Sequence, residues 1–488
     1  MSQPTDQPTD FNVGANDPLD NMFARLNSHM AREVPDDRIE QTEDESVMEF
    51  ASDIPDGWLE VNHTEAPSLE SKTFFPSVPE SIEETGMNTV MAEGLMLRYF
   101  LAKGEASIRE CSKHVRLPYN IVQKVMKTLK DLHCVEFVGA DMTHDYRCRL
   151  TERGTDKAKR LAEASTYYGA APISLRDYIH GVNEQSIQNS HPTPTQLREA
   201  FADLSVTEDM LERLGPAVNS GRGLFLFGPP GNGKTSIAER VSLAFGEMVW
   251  IPRAIFVDSE IIRIFDPLLH EEVPLQPDEG IDPMSLDQRW IRIKRPTVVV
   301  GGELTMKMLD ISFNQGTGVS EAPLQMKANC GVLVIDDFGR QQCGVDELLN
   351  RWIVPLEKRY DFLNTLFGKK ICVPFDQLVI FSTNLEPRDL VDDAFLRRIP
   401  YKIEVQDPDM HQFKMIWKSV LRKKGMAEND EVFEHLMEYY QREKRPMRMC
   451  HARDLIQQVE NYSIYHRTNA ELTLNNIGLA IANYFSVM

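Results

Sequence analysis

No stretch of this 488-residue chain reaches the roughly 18 consecutive apolar residues that span a bilayer, and its opening, MSQPTDQPTD, has neither a basic start nor an apolar run. A non-membrane, cytoplasmic protein is therefore expected. The seven cysteines, Cys111, Cys134, Cys148, Cys330, Cys343, Cys372 and Cys450, are an odd number and show no CxxC spacing. That argues against a disulfide or zinc framework and for scattered thiols in a reducing compartment. An excess of basic charge is also missing: the formal net charge is -21. It is unevenly spread, because residues 1–90 hold 20 acidic and 4 basic side chains, a net of -16. Whole-chain acidity thus excludes nothing about nucleic-acid binding by a folded part. No protease, nuclease or ligase constellation is present. What is present is length for two or three folded units and an apolar fraction of 42 % to fill their cores.

Residues 1–85 are rich in Asp, Glu, Pro, Ser and Thr and bury too little to offset backbone ordering, so a disordered acidic tail is expected there. Its apolar clusters, Trp58-Leu59 and Phe74-Phe75, read either as docking motifs or as incidental linker residues. Periodicity begins near Met87. Three helical patterns, MNTVMAEGLMLRYFLAKG, SIRECSKHV and LPYNIVQKVMKTLKDL, precede two alternating strands, Cys134 to Val138 and Tyr146 to Leu150, joined by a loop with Gly139 and Asp141. Helix, helix, helix and hairpin over residues 86–166 resembles a winged helix-turn-helix domain. Its third helix should bury Ile121, Val122, Val125, Met126 and Leu129 and present Asn120, Gln123, Lys124, Lys127 and Lys130. Residues 91–163 carry 14 basic and 10 acidic side chains, a net of +4, compatible with duplex phosphates and with Arg147 or Arg149 on the wing. Protein contact is the other reading, since the third helix has no arginine to reach guanine edges. A polar connector is expected over 167–195.

The strongest motif is GPPGNGKTS, Gly228, Pro229, Pro230, Gly231, Asn232, Gly233, Lys234, Thr235 and Ser236, entered from the apolar run Leu224 to Phe227. Glycines let backbone N–H groups turn around an anion, Lys234 reaches the β and γ phosphates, and Thr235 offers a hydroxyl to Mg2+. A helix starting at Ser236 points its positive end the same way. Further on, GVLVIDD delivers Asp336 and Asp337 to the end of a buried strand, one carboxylate for Mg2+ and its neighbour for the attacking water. The strand Gln377 to Ser382 ends at Thr383-Asn384, whose amide faces the same edge. Arg397 and Arg398 in DDAFLRRI precede the strand Tyr401 to Val405, where cations contribute little to their own core.

Together these residues resemble the AAA+ ATPase family over roughly 190–485. GPPGNGKTS looks like Walker A, VLVIDD like Walker B, Asn384 like sensor 1, Arg397 or Arg398 like the arginine finger, and Arg453 in CHARDL like sensor 2, with Arg448 in reserve. The chain departs from the family in having Asp337 where Glu is usual, one methylene shorter, which puts turnover rather than nucleotide binding in doubt. It also has Ile399-Pro400 where a further arginine is common. The resemblance implies an α/β P-loop core at 196–407 with a helical lid at 408–488, ATP and Mg2+ as cofactors, and a homo-oligomer, a hexamer by family precedent.

Its client would be a macromolecule, protein first, with DNA through residues 86–166 as the alternative and a weakly hydrolysing scaffold as a third reading. Ala254 to Asp258 reads as the second strand of the core, and residues 267–329 as a β insertion with strands at Trp290 to Val300 and Leu304 to Phe313. In hexameric relatives loops here face the channel, so Ile264-Phe265 or the strand pair would meet substrate, or extend the subunit interface. Arg340, Arg351 and Arg359 read as subunit-boundary cations or as surface ion pairs.

Overall fold

The computed structural model describes residues 74–140, 145–204 and 206–486. The acidic tail up to residue 73, Trp58-Leu59 and Asp141 lie outside them. The elements run α1 (Thr89–Lys103), β1 (Glu105–Ser107), α2 (Ile108–Val115), α3 (Tyr119–Asp131), β2 (Val135–Ala140), β3 (Tyr146–Leu150), α4 (Glu152–Ala164), β4 (Ile173–Ser174), α5 (Leu175–Glu184), α6 (Pro194–Ala200), α7 (Glu208–Asn219), β5 (Leu224–Phe227), α8 (Lys234–Ala244), β6 (Met248–Pro252), β7 (Ala254–Val257) and β8 (Glu260–Arg263). They continue with β9 (Trp290–Lys294), β10 (Thr297–Val300), β11 (Ser312–Asn314), β12 (Val319–Glu321), α9 (Leu324–Lys327), β13 (Gly331–Ile335), α10 (Val345–Lys358), β14 (Tyr360–Asn364), β15 (Lys370–Pro374), β16 (Gln377–Thr383), α11 (Pro387–Leu390), α12 (Asp393–Arg398) and β17 (Tyr401–Glu404). Four helices follow: α13 (Met410–Lys424), α14 (Asp430–Arg442), α15 (Met449–His466) and α16 (Leu474–Tyr484).

The central sheet has the order β10-β13-β16-β5-β17, every pair parallel. Alternation sorts its apolar runs onto two faces. Leu224, Leu226, Val332, Val334, Leu378 and Ile380 pack with α7 and α8 on one side. Phe225, Leu333, Ile335, Val379 and Phe381 pack with Trp352 of α10 on the other. Register then levels the strand ends: Ile335 pairs with Phe381, and Thr383 with Phe227. The residues that follow, Asp336, Asn384 and Gly228, therefore emerge side by side, and the crevice beyond the carboxyl ends is where open α/β sheets bind ligands.

The N-terminal helices behave as their spacing predicts. The buried positions of α3 are Ile121, Val122, Val125, Met126 and Leu129. A strand not read from the sequence, β1, pairs with β3, which pairs with β2; the run EAS has no β-branched or aromatic residue to signal it.

Four regions differ from the reading above. Residues 74–85 belong to the folded body: Phe74 packs its ring edge-on against Trp290 at 5.4 Å, and the Val78 N–H donates to the Ser285 carbonyl. The stretch expected as a connector contains α5, capped by Ser174 and burying Tyr178, Ile179 and Val182. Residues 254–258 are not a core strand, because β7 pairs with β4 and β8 in a second sheet ordered β11-β12-β8-β7-β4. The core strand is TVVV, β10, so the region taken as an insertion supplies an edge of the central sheet, whose two covered faces suit a continuous β-branched run. Leu304 to Phe313 is not a strand either but one tight helical turn, Met306–Leu309, and the short β11.

Candidate functional site

Between β5 and α8 the chain makes a loop that only glycine can build at two points. Gly228 sits at φ 129 with an added Cβ 2.6 Å from the Val405 carbonyl oxygen, and Gly231 at φ 84 with one 2.5 Å from Cys450 Sγ. The loop is thus pressed between the end of β17 and the first turn of α15. Gly233 caps α8 with no side-chain hydrogen bond, leaving first-turn N–H donors free of a side-chain acceptor, the arrangement that receives an anion.

The Lys234 ammonium donates to the carbonyls of Gly228 and Pro229 at 3.0 Å and to Asn384 Oδ1 at 2.7 Å. Asn384 Nδ2 donates in turn to Asp337 Oδ1 at 3.2 Å, so one amide links the lysine to the carboxylate. Burial lowers the Lys234 pKa, Asp336 and Asp337 oppose the shift, and Arg448 adds to it. Thr235 Oγ1 donates to Asp336 Oδ2 at 2.9 Å. A hydroxyl and a carboxylate in contact are hard oxygen donors of the kind Mg2+ takes alongside water and phosphate oxygens. The described residues contain no group of three or more His, Cys, Asp or Glu placed to hold a metal ion. Asp337 lies at φ 47, and Gln341 Nε2 donates to its carbonyl at 3.2 Å and to that of Asp336 at 3.3 Å.

Beside the loop opens a cleft of about 460 Å³ with an apolar lining that includes Leu204, Val206, Met210, Ile237, Ile416 and Val420. Gly233 and Ser236 stand at its inner edge, and Asn232 is fully buried there.

Sequence reasoning missed the latch that ties this cleft to the C-terminal helices. Asn232 Nδ2 donates to Asp407 Oδ1 at 2.7 Å, while Asn232 Oδ1 accepts from the Met449 N–H at 3.2 Å. Arg448 Nη1 donates to the same Asp407 oxygen at 2.6 Å, and the Cys450 N–H donates to the Gly231 carbonyl at 2.9 Å. These partners are far apart in sequence, so no local pattern announces them.

The arginines divide. Arg453 is placed on an exposed face of α15, paired with its neighbour Asp454 at 2.9 Å, and is not brought to the loop; Arg448 is. Arg398 is engaged by Glu357 at 2.6 Å and by the Ala394 carbonyl, whereas Arg397 is exposed and, among the described residues, has no side-chain partner. Arg359 is an internal cation, donating to the Gln377 carbonyl and facing Asp376 at 3.8 Å, and Arg351 grips Asp361 with both terminal nitrogens. Both are engaged within the chain; Arg340 is exposed. Ile264 is buried, and the half-buried Phe265 packs against His270 and the Arg253 guanidinium.

No helix among the described residues is long and apolar enough to cross a membrane. The strand order, the glycine loop at the head of α8 and the acids at the end of β13 make an α/β core resembling AAA+ architecture. Residues 409–483 match a family model described as a domain of unknown function, DUF8689. A spastin homolog of Caenorhabditis elegans is 24 % identical over 248 residues, 51 % of this chain and 38 % of its own length. Among solved structures, the Thermotoga maritima RuvB Holliday junction branch migration motor is 15 % identical with a TM-score of 0.33, covering 57 % of this chain and 69 % of that one. NtrX from Brucella abortus is 14 % identical with a TM-score of 0.35, covering 68 % and 60 %. The chain thus spans less than half the length of the curated relative it matches.

Proposed function

We propose that this protein is a ring-forming AAA+ ATPase that hydrolyses ATP to ADP and phosphate and uses the cycle to remodel or move a macromolecular client, a protein in the first instance. The observation that carries the reading is the convergence of Lys234, Thr235, Asp336, Asp337 and Asn384 at three level strand ends around an uncapped helix. In this reading Gly228 to Ser236 cradle the phosphates, and Lys234 exchanges its carbonyl acceptors for phosphate oxygens. Thr235 and Asp336 are the residues that would hold Mg2+, which would supply neutralisation of phosphate charge. Asp337 orients water for attack on the γ phosphorus, and Asn384 keeps that carboxylate in place.

Arg448, rather than Arg453, is the lid residue that responds to nucleotide. Arg397 is the better finger for a neighbour's γ-phosphate, since Arg398 is already engaged by Glu357. The apolar cleft takes the adenine. Replacing Lys234 by Ala should abolish turnover measured as phosphate release; a variant hydrolysing ATP at the unmodified rate would sink the assignment.

A DNA-associated ATPase is the second reading. It is supported by the helix, helix, helix and hairpin order and by Lys124 and Lys127, exposed on α3 with no ion-pair partner among the described residues. The wing arginines favour it less, because Arg147 is paired with Glu105 and Arg149 with Glu136. A gel shift of labelled duplex by the full chain, weakening steeply with salt, separates the two.

A further inference from the structure

A second cleft, of about 620 Å³, lies between α1, α2 and the corner joining β6 to β7, far in sequence from the glycine loop. Lys103, Lys113, His114, Arg116 and Arg253 line it, with two carboxylates, Glu105 and Glu110. Both acids are committed elsewhere. Glu105 pairs with Arg147 at 3.2 Å, and Glu110 accepts the Ser107 N–H at 2.7 Å in the capping box of α2. Lys103, Lys113 and Arg116 have no carboxylate partner among the described residues, where Arg116 reaches only the Gln288 side-chain oxygen at 3.5 Å.

His114 and Arg253 also line the cleft, and their Nε2 and Nε atoms are buried without a hydrogen-bond partner. The imidazole is held in place, 4.8 Å from the Tyr99 ring and stacked at 5.5 Å on Tyr168. Arg253 is anchored by Glu272 at 3.5 Å and by the Phe265 face. Desolvation is the main cause that lowers the pKa of both His114 and Arg253, and Arg116 lowers both further. Lys103, Lys113 and Arg116 thus bring positive charge that no carboxylate of the cleft offsets, and the matching guest is an anion with several acceptor oxygens.

We infer that this cleft is a phosphate-binding site, distinct from the glycine loop. A phosphate brings one to two negative charges and three strong acceptors, enough to engage the two lysines and the guanidinium groups of Arg116 and Arg253. Because Arg253 belongs to the β6–β7 corner and the other four to α1, α2 and its cap, a bound phosphate bridges the N-terminal helices to the second sheet. The same chemistry is offered by free polyphosphate and by a nucleic-acid backbone.

The test uses the full chain carrying Lys234→Ala, so that the glycine loop contributes little, with and without the added pair Lys113→Gln and Arg116→Gln. Both side chains are exposed, so folding should be retained, as circular dichroism would check. Inorganic pyrophosphate is titrated by calorimetry and a short DNA duplex by fluorescence anisotropy over a salt series. Loss of pyrophosphate affinity by roughly 10-fold or more in the added pair supports a free-phosphate ligand. Loss of duplex affinity, with a salt slope shallower by about 2, supports a backbone phosphate. Equal affinity for both probes with and without the added pair overturns the proposal, whatever Lys234→Ala does to turnover.

Discussion

Arg448 and Arg453 lie five positions apart on the same lid segment, and replacing each by Ala separates a latch from a surface ion pair. The Arg448 guanidinium donates to Asp407 at 2.6 Å, and side-chain exposures of 21 % and 33 % place the pair partly out of water. A hydrogen bond between charged groups is worth about 1.5–3 kcal/mol when buried, and partial solvation reduces that to about 1–2 kcal/mol here. Asp407 keeps Asn232 as a donor, so the loss is that of one contact rather than an abandoned carboxylate. Weakening lid closure by that amount should lower nucleotide affinity by about 10-fold, since about 1.4 kcal/mol is a factor of ten. Arg453 is 71 % exposed and bonded to its own neighbour, a pair worth under about 0.5 kcal/mol, so Arg453→Ala should stay within roughly two-fold. The assay is displacement of a fluorescent ADP analogue, followed by steady-state phosphate release. If Arg453→Ala loses affinity and Arg448→Ala does not, the latch has been assigned to the wrong arginine.

Three further outcomes are expected. Asp337→Asn should leave nucleotide affinity within a few-fold and cut turnover by about 100-fold or more, the scale of a lost base or water-orienting group; unchanged phosphate release would show that the carboxylate does not act on water. Phe74→Ala should destabilise the fold by about 1.5–2.5 kcal/mol, half the value for a fully buried ring, whereas Phe75→Ala, 46 % exposed, should shift the urea midpoint little; equal shifts would deny Phe74 its anchoring role. His451, buried with its Nδ1 2.7 Å from the Tyr440 hydroxyl, has its pKa lowered to about 4 by desolvation and by Arg448. The folded state thus favours the neutral ring, and the stability this confers is present above the unfolded pKa of about 6.5 and is lost as pH falls through that value toward the folded one. Between pH 7 and pH 5 the loss is about 2 kcal/mol, and His451→Gln should remove that part of the pH dependence. An unchanged pH slope of the urea midpoint in the variant would contradict it.

Local chemistry made much of the site legible. GPPGNGKTS needs its glycines where the backbone turns to φ 129 and φ 84, and the apolar runs ending in Asp336 and Asn384 are strands that two covered faces demand. The C-terminal region was expected to be helical, and its helices are capped by side chains such as Asp409 and Thr473. The reading failed where a segment's identity depended on its partner. Residues 254–258 and 297–300 are both short apolar runs, and only pairing decided that the second joins the central sheet.

The sequence by itself determined that residues 228–236 form a glycine turn leading into a helix, that Asp336 and Asn384 follow buried strands, and that the chain from Met410 on is helical, because each is set by contacts within a few residues. Only the tertiary structure decided which of these groups meet. Parallel register brought Asn384 between Lys234 and Asp337, and packing of α15 against the loop set Arg448 on Asp407 while leaving Arg453 on an exposed face. It also gathered Lys103, Lys113, His114, Arg116 and Arg253 around one cleft. Those arrangements join residues up to about 200 positions apart in sequence, as Met449 meets Asn232, and no periodicity or local propensity encodes such a distance.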